Sequence, residues 1–125
     1  MTSLDLNLTI LYVENPEKSA AFYRDLLGVE TFASSENFTA VPLPGGRLFG
    51  LWRRSMVKPE APAERGGFEI GVMIPEAGGV AARFAMAEAA GLTILQPLTV
   101  MDFGPTFVVT DPDGNRIRFC EPDKE

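Results

Sequence analysis

The 125-residue chain contains no histidine, one cysteine and one tryptophan. Histidine is the commonest metal ligand in proteins and the natural acid–base group near neutral pH. Its absence removes the usual donor for zinc, nickel or iron and excludes Ser-His and Cys-His nucleophile pairs. The lone Cys120 excludes an internal disulfide framework and fits a reducing compartment. Positive charge is also scarce: 11 Lys and Arg stand against 17 Asp and Glu, a net charge of -6. Nucleic-acid binding rests on neutralising phosphates, so that partner is not expected. Nowhere do ~18 uncharged apolar residues run together, and the N-terminus has neither a basic region nor a long apolar one, so neither a membrane span nor a membrane partner is expected. Together these absences point to a cytoplasmic protein.

What is present is enough for one core: 46% of the residues are hydrophobic, so residues 1–125 read as a single domain. The most informative stretch is Thr106 to Pro122. Phe107-Val108-Val109 is a β-branched and aromatic run, and Ile117-Arg118-Phe119-Cys120 alternates apolar with charged or small residues. Between them, Asp111-Pro112-Asp113-Gly114-Asn115 has the residues of a tight turn, so the stretch predicts a hairpin. Alternation puts Arg116, Arg118 and Cys120 on one face and Ile117 and Phe119 on the other.

Taken in order, Leu6 to Val13 alternates weakly, as in a strand covered on both faces. Asn15-Pro16-Glu17 starts a helix that ends at Leu27 with Gly28 as its cap, and Ser19, Phe22, Tyr23, Leu26 and Leu27 form its buried stripe. Strands are predicted over Val29 to Phe32, Phe38 to Leu43 and Arg47 to Arg53, the last two joined by Pro44-Gly45-Gly46. Met56 to Gly67 reads as a linker, about residues 57–66 at its centre. The pattern then restarts: a strand over Phe68 to Ile74, a helix over Val80 to Ala90 with Val80, Phe84 and Ala87 inward, a Gly91 cap, a short strand over Leu92 to Leu95, and the closing hairpin. Aligning Gly28 with Gly91 exposes an internal duplication, with repeats at about 5–56 and 67–122. The expected fold is α+β, two tandem βαβββ units.

A duplicated βαβββ unit with ENPEKSAAFYRDLLG early and DPDGNRIRF late resembles the vicinal oxygen chelate superfamily, the glyoxalase, bleomycin-resistance and dioxygenase group. The resemblance runs from about Leu6 to Pro122 and implies a curved mixed sheet that forms a cleft. The segments LFGLW (48 to 52), EIGVMIP (69 to 75), FGPTFVVTDPDG (103 to 114) and IRFC (117 to 120) resemble the phenazine antibiotic resistance proteins more narrowly. Members of that kind are metal-free dimers that hold a planar antibiotic between aromatic side chains. In the metalloenzymes of the superfamily, the ligand positions fall by this resemblance on Leu8, Gly50, Glu69 and Arg118. Only Glu69 can coordinate a cation, so no metal and no cofactor are expected.

The resemblance thus implies a homodimer that sequesters a planar aromatic small molecule and has no catalytic residues. Trp52 is the candidate stacking plate; its ordinary role would be core packing, but Gly50 on the same face leaves room beside the indole. Tyr12 shares that parity and brings a hydroxyl. Phe103 is placed in a loop, where an aromatic calls for a reason. Met73, on the Glu69 face, is candidate lining, and Cys120 is read as packing. Phe38, Phe49 and Phe107 are assigned to the core. Glu69 and Arg118 are expected to form a salt bridge where a metal would otherwise sit, the alternative being two partly solvated charges in an open cleft. The alternative from a different class is an enzyme, a divergent glyoxalase-like lyase or isomerase using Glu69 as base, or a dioxygenase relative with an atypical site.

Overall fold

The computed structural model describes residues 3–62 and 68–122. The elements are β1 (Leu8–Val13), α1 (Pro16–Leu27), β2 (Phe32–Ser35), β3 (Phe38–Leu43), β4 (Arg47–Arg53), a 3-10 turn (Arg54–Met56), β5 (Glu69–Met73), α2 (Gly79–Ala89), β6 (Thr93–Met101), β7 (Gly104–Thr110) and β8 (Arg116–Cys120). They group into two compact units, Met1–Ala63 and Glu64–Glu125. The first unit holds a sheet of order β1-β4-β3-β2 and the second a sheet of order β5-β8-β7-β6. In each, the first strand runs parallel to the last and the other pairings are antiparallel. The expected α+β duplication is therefore what the chain forms.

Local chemistry explains the elements. Asn15 Oδ1 accepts from the Glu17 and Lys18 amides at 3.1 and 3.3 Å, satisfying two donors at the start of α1. Gly28 ends that helix at φ 65°, where its amide donates to the Arg24 carbonyl at 2.9 Å. Helix α1 packs on β3 and β4, with the Tyr23 ring edge-on to Phe49 at 4.9 Å. Leu11, Val13, Val41, Phe49 and Leu51 complete that core. In the second unit Phe84 of α2 meets Phe107 at 5.3 Å, and Phe107 stacks on Phe119 at 4.6 Å. The β7–β8 turn is held by one side chain: Asp111 Oδ1 accepts from the Asp113 and Asn115 amides at 2.9 and 2.8 Å, and its Oδ2 from Asn115 Nδ2 at 2.9 Å.

Several expectations are corrected. β1 is covered on one face only: Leu11 and Val13 are buried while Leu8 and Tyr12 are exposed. The buried positions of α1 are Pro16, Ser19, Ala20 and Tyr23, and Phe22, Leu26 and Leu27 are half-buried, so the stripe is turned toward the small residues. β2 begins at Phe32 rather than Val29, because pairing with β3 starts only at Phe32↔Ala40; Thr31 before it accepts from Arg24 Nη1 at 2.9 Å. β6 runs on to Met101 rather than stopping at Leu95. It is an edge strand with register shifts between Ile94 and Thr99, and such a strand accommodates Pro97. Of the linker, Val57 is buried and Arg54 Nη1 donates to the Pro62 carbonyl at 2.8 Å, so this part is anchored; its residues 63–67 lie outside the described residues.

Replacing Asp111 with alanine would strand buried turn amides. The D111A variant should lose roughly 2–3 kcal/mol of stability, read as a lower urea midpoint with an unchanged slope. An unshifted midpoint would show that the carboxylate is not what holds the turn.

Candidate functional site

Because α1 takes the Leu11, Val13, Phe49 and Leu51 side of the first sheet, the opposite side presents the alternate residues. Across three strands these are in register: Tyr12 beside Trp52 beside Phe38, and Ile10 beside Gly50 beside Ala40. The first set makes an aromatic row. Tyr12 and Trp52 have centroids 6.3 Å apart at 75°, and Phe38 and Trp52 6.4 Å apart at 67°. Both contacts are T-shaped, so neither neighbour lies parallel on the indole. Tyr12 is exposed, and Trp52 and Phe38 are half-buried.

Gly50 does not do what its sequence position implied. A Cβ there would lie 2.6 Å from Phe38 Cζ, so the room beside the indole is taken by the Phe38 ring. Phe38, assigned to the core from sequence, belongs to the aromatic row. Counting outward from the Pro44-Gly45-Gly46 turn pairs Leu43 with Arg47 and hence Phe38 with Trp52, which is the signal that finds it.

The second unit carries a charge cluster on β5 and β8. The strands pair Glu69 with Arg116 and Gly71 with Arg118, so Glu69 and Arg118 meet on the diagonal. Arg118 Nε donates to Glu69 Oε1 at 2.6 Å, which is the salt bridge expected from sequence. Arg118 Nη1 also donates to Gln96 Oε1 at 3.0 Å and Thr106 Oγ1 at 3.2 Å. Thr106 is fully buried and its hydroxyl donates to the Phe119 carbonyl at 2.6 Å, so its lone pairs are turned to the guanidinium. The guanidinium carbon lies 5.9 Å from the centroid of the Phe103 ring, within cation–π reach. Phe103 is exposed, as expected, but it sits in the two-residue β6–β7 turn rather than a longer loop, since β7 already begins at Gly104. Met73 is exposed at the end of β5, and Cys120, its register partner, is half-buried. Gln96 and Thr106 went unnoticed in the sequence: Gln96 lay past the expected end of its strand, and only allowing Pro97 on an edge would have brought it in.

The donor set does not fit a divalent ion at the positions where metalloenzymes of this fold carry ligands. Leu8 offers methyl groups, Gly50 offers none, and Arg118 has only N–H donors, three of them already engaged. Among the described residues no group of three or more His, Cys, Asp or Glu is placed to hold a metal. The chemistry on offer is an aromatic surface in the first unit and a fixed hydrogen-bonding pair in the second.

Comparison with known proteins agrees with the fold. The model of the Glyoxalase/Bleomycin resistance protein/Dioxygenase superfamily matches residues 5–119. The phenazine antibiotic resistance protein EhpR of Enterobacter agglomerans is 35% identical over 121 residues, 94% of this chain and 92% of that protein. The solution structure of protein ATC0852 from Agrobacterium tumefaciens is 37% identical, with a TM-score of 0.84 over 98% of this chain and 100% of that one. A glyoxalase-related enzyme from Fulvimarina pelagi shares the fold at a TM-score of 0.79 and 19% identity, over 94% of this chain and 88% of that one.

Adding a methyl at Gly50 forces the Phe38 ring to move. The G50A variant should lose roughly 1–3 kcal/mol of stability and alter the near-ultraviolet dichroism of Trp52. Wild-type stability together with an unchanged spectrum would mean the two residues do not crowd each other.

Proposed function

The chain belongs to the glyoxalase/bleomycin resistance protein/dioxygenase superfamily, and from that premise we propose that it is a binding protein. It sequesters a planar aromatic small molecule of the phenazine or bleomycin type and leaves it chemically unchanged. The observation that carries this reading is the row Tyr12, Trp52 and Phe38 on the sheet face away from α1, with an indole that no parallel ring covers among the described residues. Offset stacking on such a ring contributes ~0.5–1.5 kcal/mol beyond burial, and the Tyr12 hydroxyl supplies a polar contact at the rim. A relative of similar length is a phenazine antibiotic resistance protein, which supports the same ligand class here.

The residues at the metal-ligand positions support binding over catalysis. A Lewis-acid mechanism needs several lone-pair donors around one ion, and Leu8, Gly50 and Arg118 provide none. Glu69 as a lone general base lacks a second titratable partner poised for proton transfer, since its neighbour is a guanidinium. In this reading the second unit offers contacts of its own, apolar from Phe103 and Met73 and hydrogen-bonding from Glu69 and Arg118, and the working form is a cytoplasmic homodimer. No described helix is long and apolar enough to cross a membrane.

Titrating phenazine into the protein should quench Trp52 fluorescence saturably, with heat of binding in parallel calorimetry. Trp52→Leu should weaken the calorimetric affinity by roughly tenfold. A flat titration across several planar ring systems, or stoichiometric nickel, zinc, iron or manganese in protein purified without chelators, would overturn the proposal.

A further inference from the structure

A guanidinium has five N–H donors in a rigid fork. In Arg118 the Nε donor goes to Glu69, and Nη1 serves Gln96 and Thr106. The two Nη2 donors have no partner among the described residues. On the other side of the salt bridge, Oε1 of Glu69 accepts from Nε and Oε2 accepts from no described residue. The fork places Nη2 on the same side as Nε, the side that Glu69 occupies, so one ion pair carries both an unused donor and an unused acceptor. There is room beside them. Gly71, the register partner of Arg118, has no atom within 4 Å of where its Cβ would be. The pair is reachable, with side-chain exposures of 21% for Arg118 and 38% for Glu69.

We infer that this pair reads a neutral group carrying a donor next to an acceptor on the ligand, such as a carboxamide, and disfavours an ionised carboxylate at the same position. The inference rests on the reading of the chain as a binder of planar rings and names the substituent of a ring that lies against Phe103 in the second unit. An amide carbonyl accepts from Nη2 while its N–H donates to Glu69 Oε2, so both unused groups are satisfied at once. A carboxylate also accepts from Nη2, but it brings a second negative charge against Glu69 Oε2, and like charges in contact are costly. Arg116 is the other cation on this face; it is exposed, and no ion pair among the described residues ties it to Glu69, so water screens its charge. Phe103, already against the guanidinium, offers its exposed ring to the apolar part of the same guest.

The test uses three rings: phenazine and the near-isosteric pair phenazine-2-carboxamide and phenazine-2-carboxylate, at pH 8, where the acid is ionised. Position 2 keeps the substituent clear of the ring nitrogens. By calorimetry the carboxamide should bind wild type roughly tenfold more tightly than the parent ring, with the carboxylate no better than the parent. Glu69→Gln removes the opposing charge, so the carboxylate should gain and overtake the carboxamide. Arg118→Lys, which keeps the charge but loses the fork, should bring the carboxamide down to the parent's affinity. Equal binding of all three rings, or a carboxylate that binds wild type as well as the carboxamide, overturns the inference and leaves ring binding intact. A Glu69→Gln protein that folds without any gain for the carboxylate also overturns it. If none of the three rings binds, it is the reading as a ring binder that fails.

Discussion

The pairing of the first strand with the last, parallel and in register, is the constraint on which each unit depends. A parallel pair cannot be closed by a tight turn; it requires a crossover, and here the crossover contains the helix. Once the helix has passed over one face of the sheet, that face becomes the core and the other is left to the alternate residues. The fate of Tyr12 and Trp52 on one sheet, and of Glu69 and Arg118 on the other, is settled by this closure. A slip of one residue in β1 against β4 would exchange Tyr12 for Leu11 and destroy both the core and the exposed row.

The duplication allows position-by-position comparison. The registers set Leu8, Ile10 and Tyr12 against Leu48, Gly50 and Trp52 in the first unit, and Glu69, Gly71 and Met73 against Arg116, Arg118 and Cys120 in the second. Each scaffold contains one glycine at the middle of its face, but on opposite strands and with opposite results. Gly50 makes way for Phe38 and its space is full; Gly71 faces Arg118 and its space is open. The same framework thus carries a contiguous, partly exposed aromatic row in one unit and an accessible polar pair in the other.

Much of this was legible in the sequence because it depends on period and on turn chemistry. Asn15-Pro16, Gly28 and Asp111-Pro112-Asp113-Gly114 fixed element ends, and the resemblance to the superfamily put Glu69 and Arg118 on neighbouring strands of one face, a face that parity alone could not join across strands. The diagonal offset between them was not legible, because parity gives a face but not a register. The length of β6 was hidden by Pro97, whose cost depends on whether a strand lies at an edge, a tertiary fact. Phe38 was misread for a related reason. A phenylalanine near a turn has no local mark that separates core from rim, and only the pairing opposite Trp52 decides it.

Stability alone gives little account of how Arg118 is held. An ion pair with partners 21% and 38% exposed contributes little in water, and fixing two long side chains has an entropic cost. Yet the guanidinium is oriented by a carboxylate, an amide oxygen and a buried hydroxyl, and it lies over an aromatic ring. Thr106 in turn is oriented by its own bond to the Phe119 carbonyl in the core strand pair. Such a chain of contacts, running from the core outward to a half-exposed cation, holds its free N–H groups in fixed directions. Fixed directions matter for recognition, because a donor that is already immobile loses less entropy when a partner arrives. The arrangement is that of a hydrogen-bond donor positioned in advance.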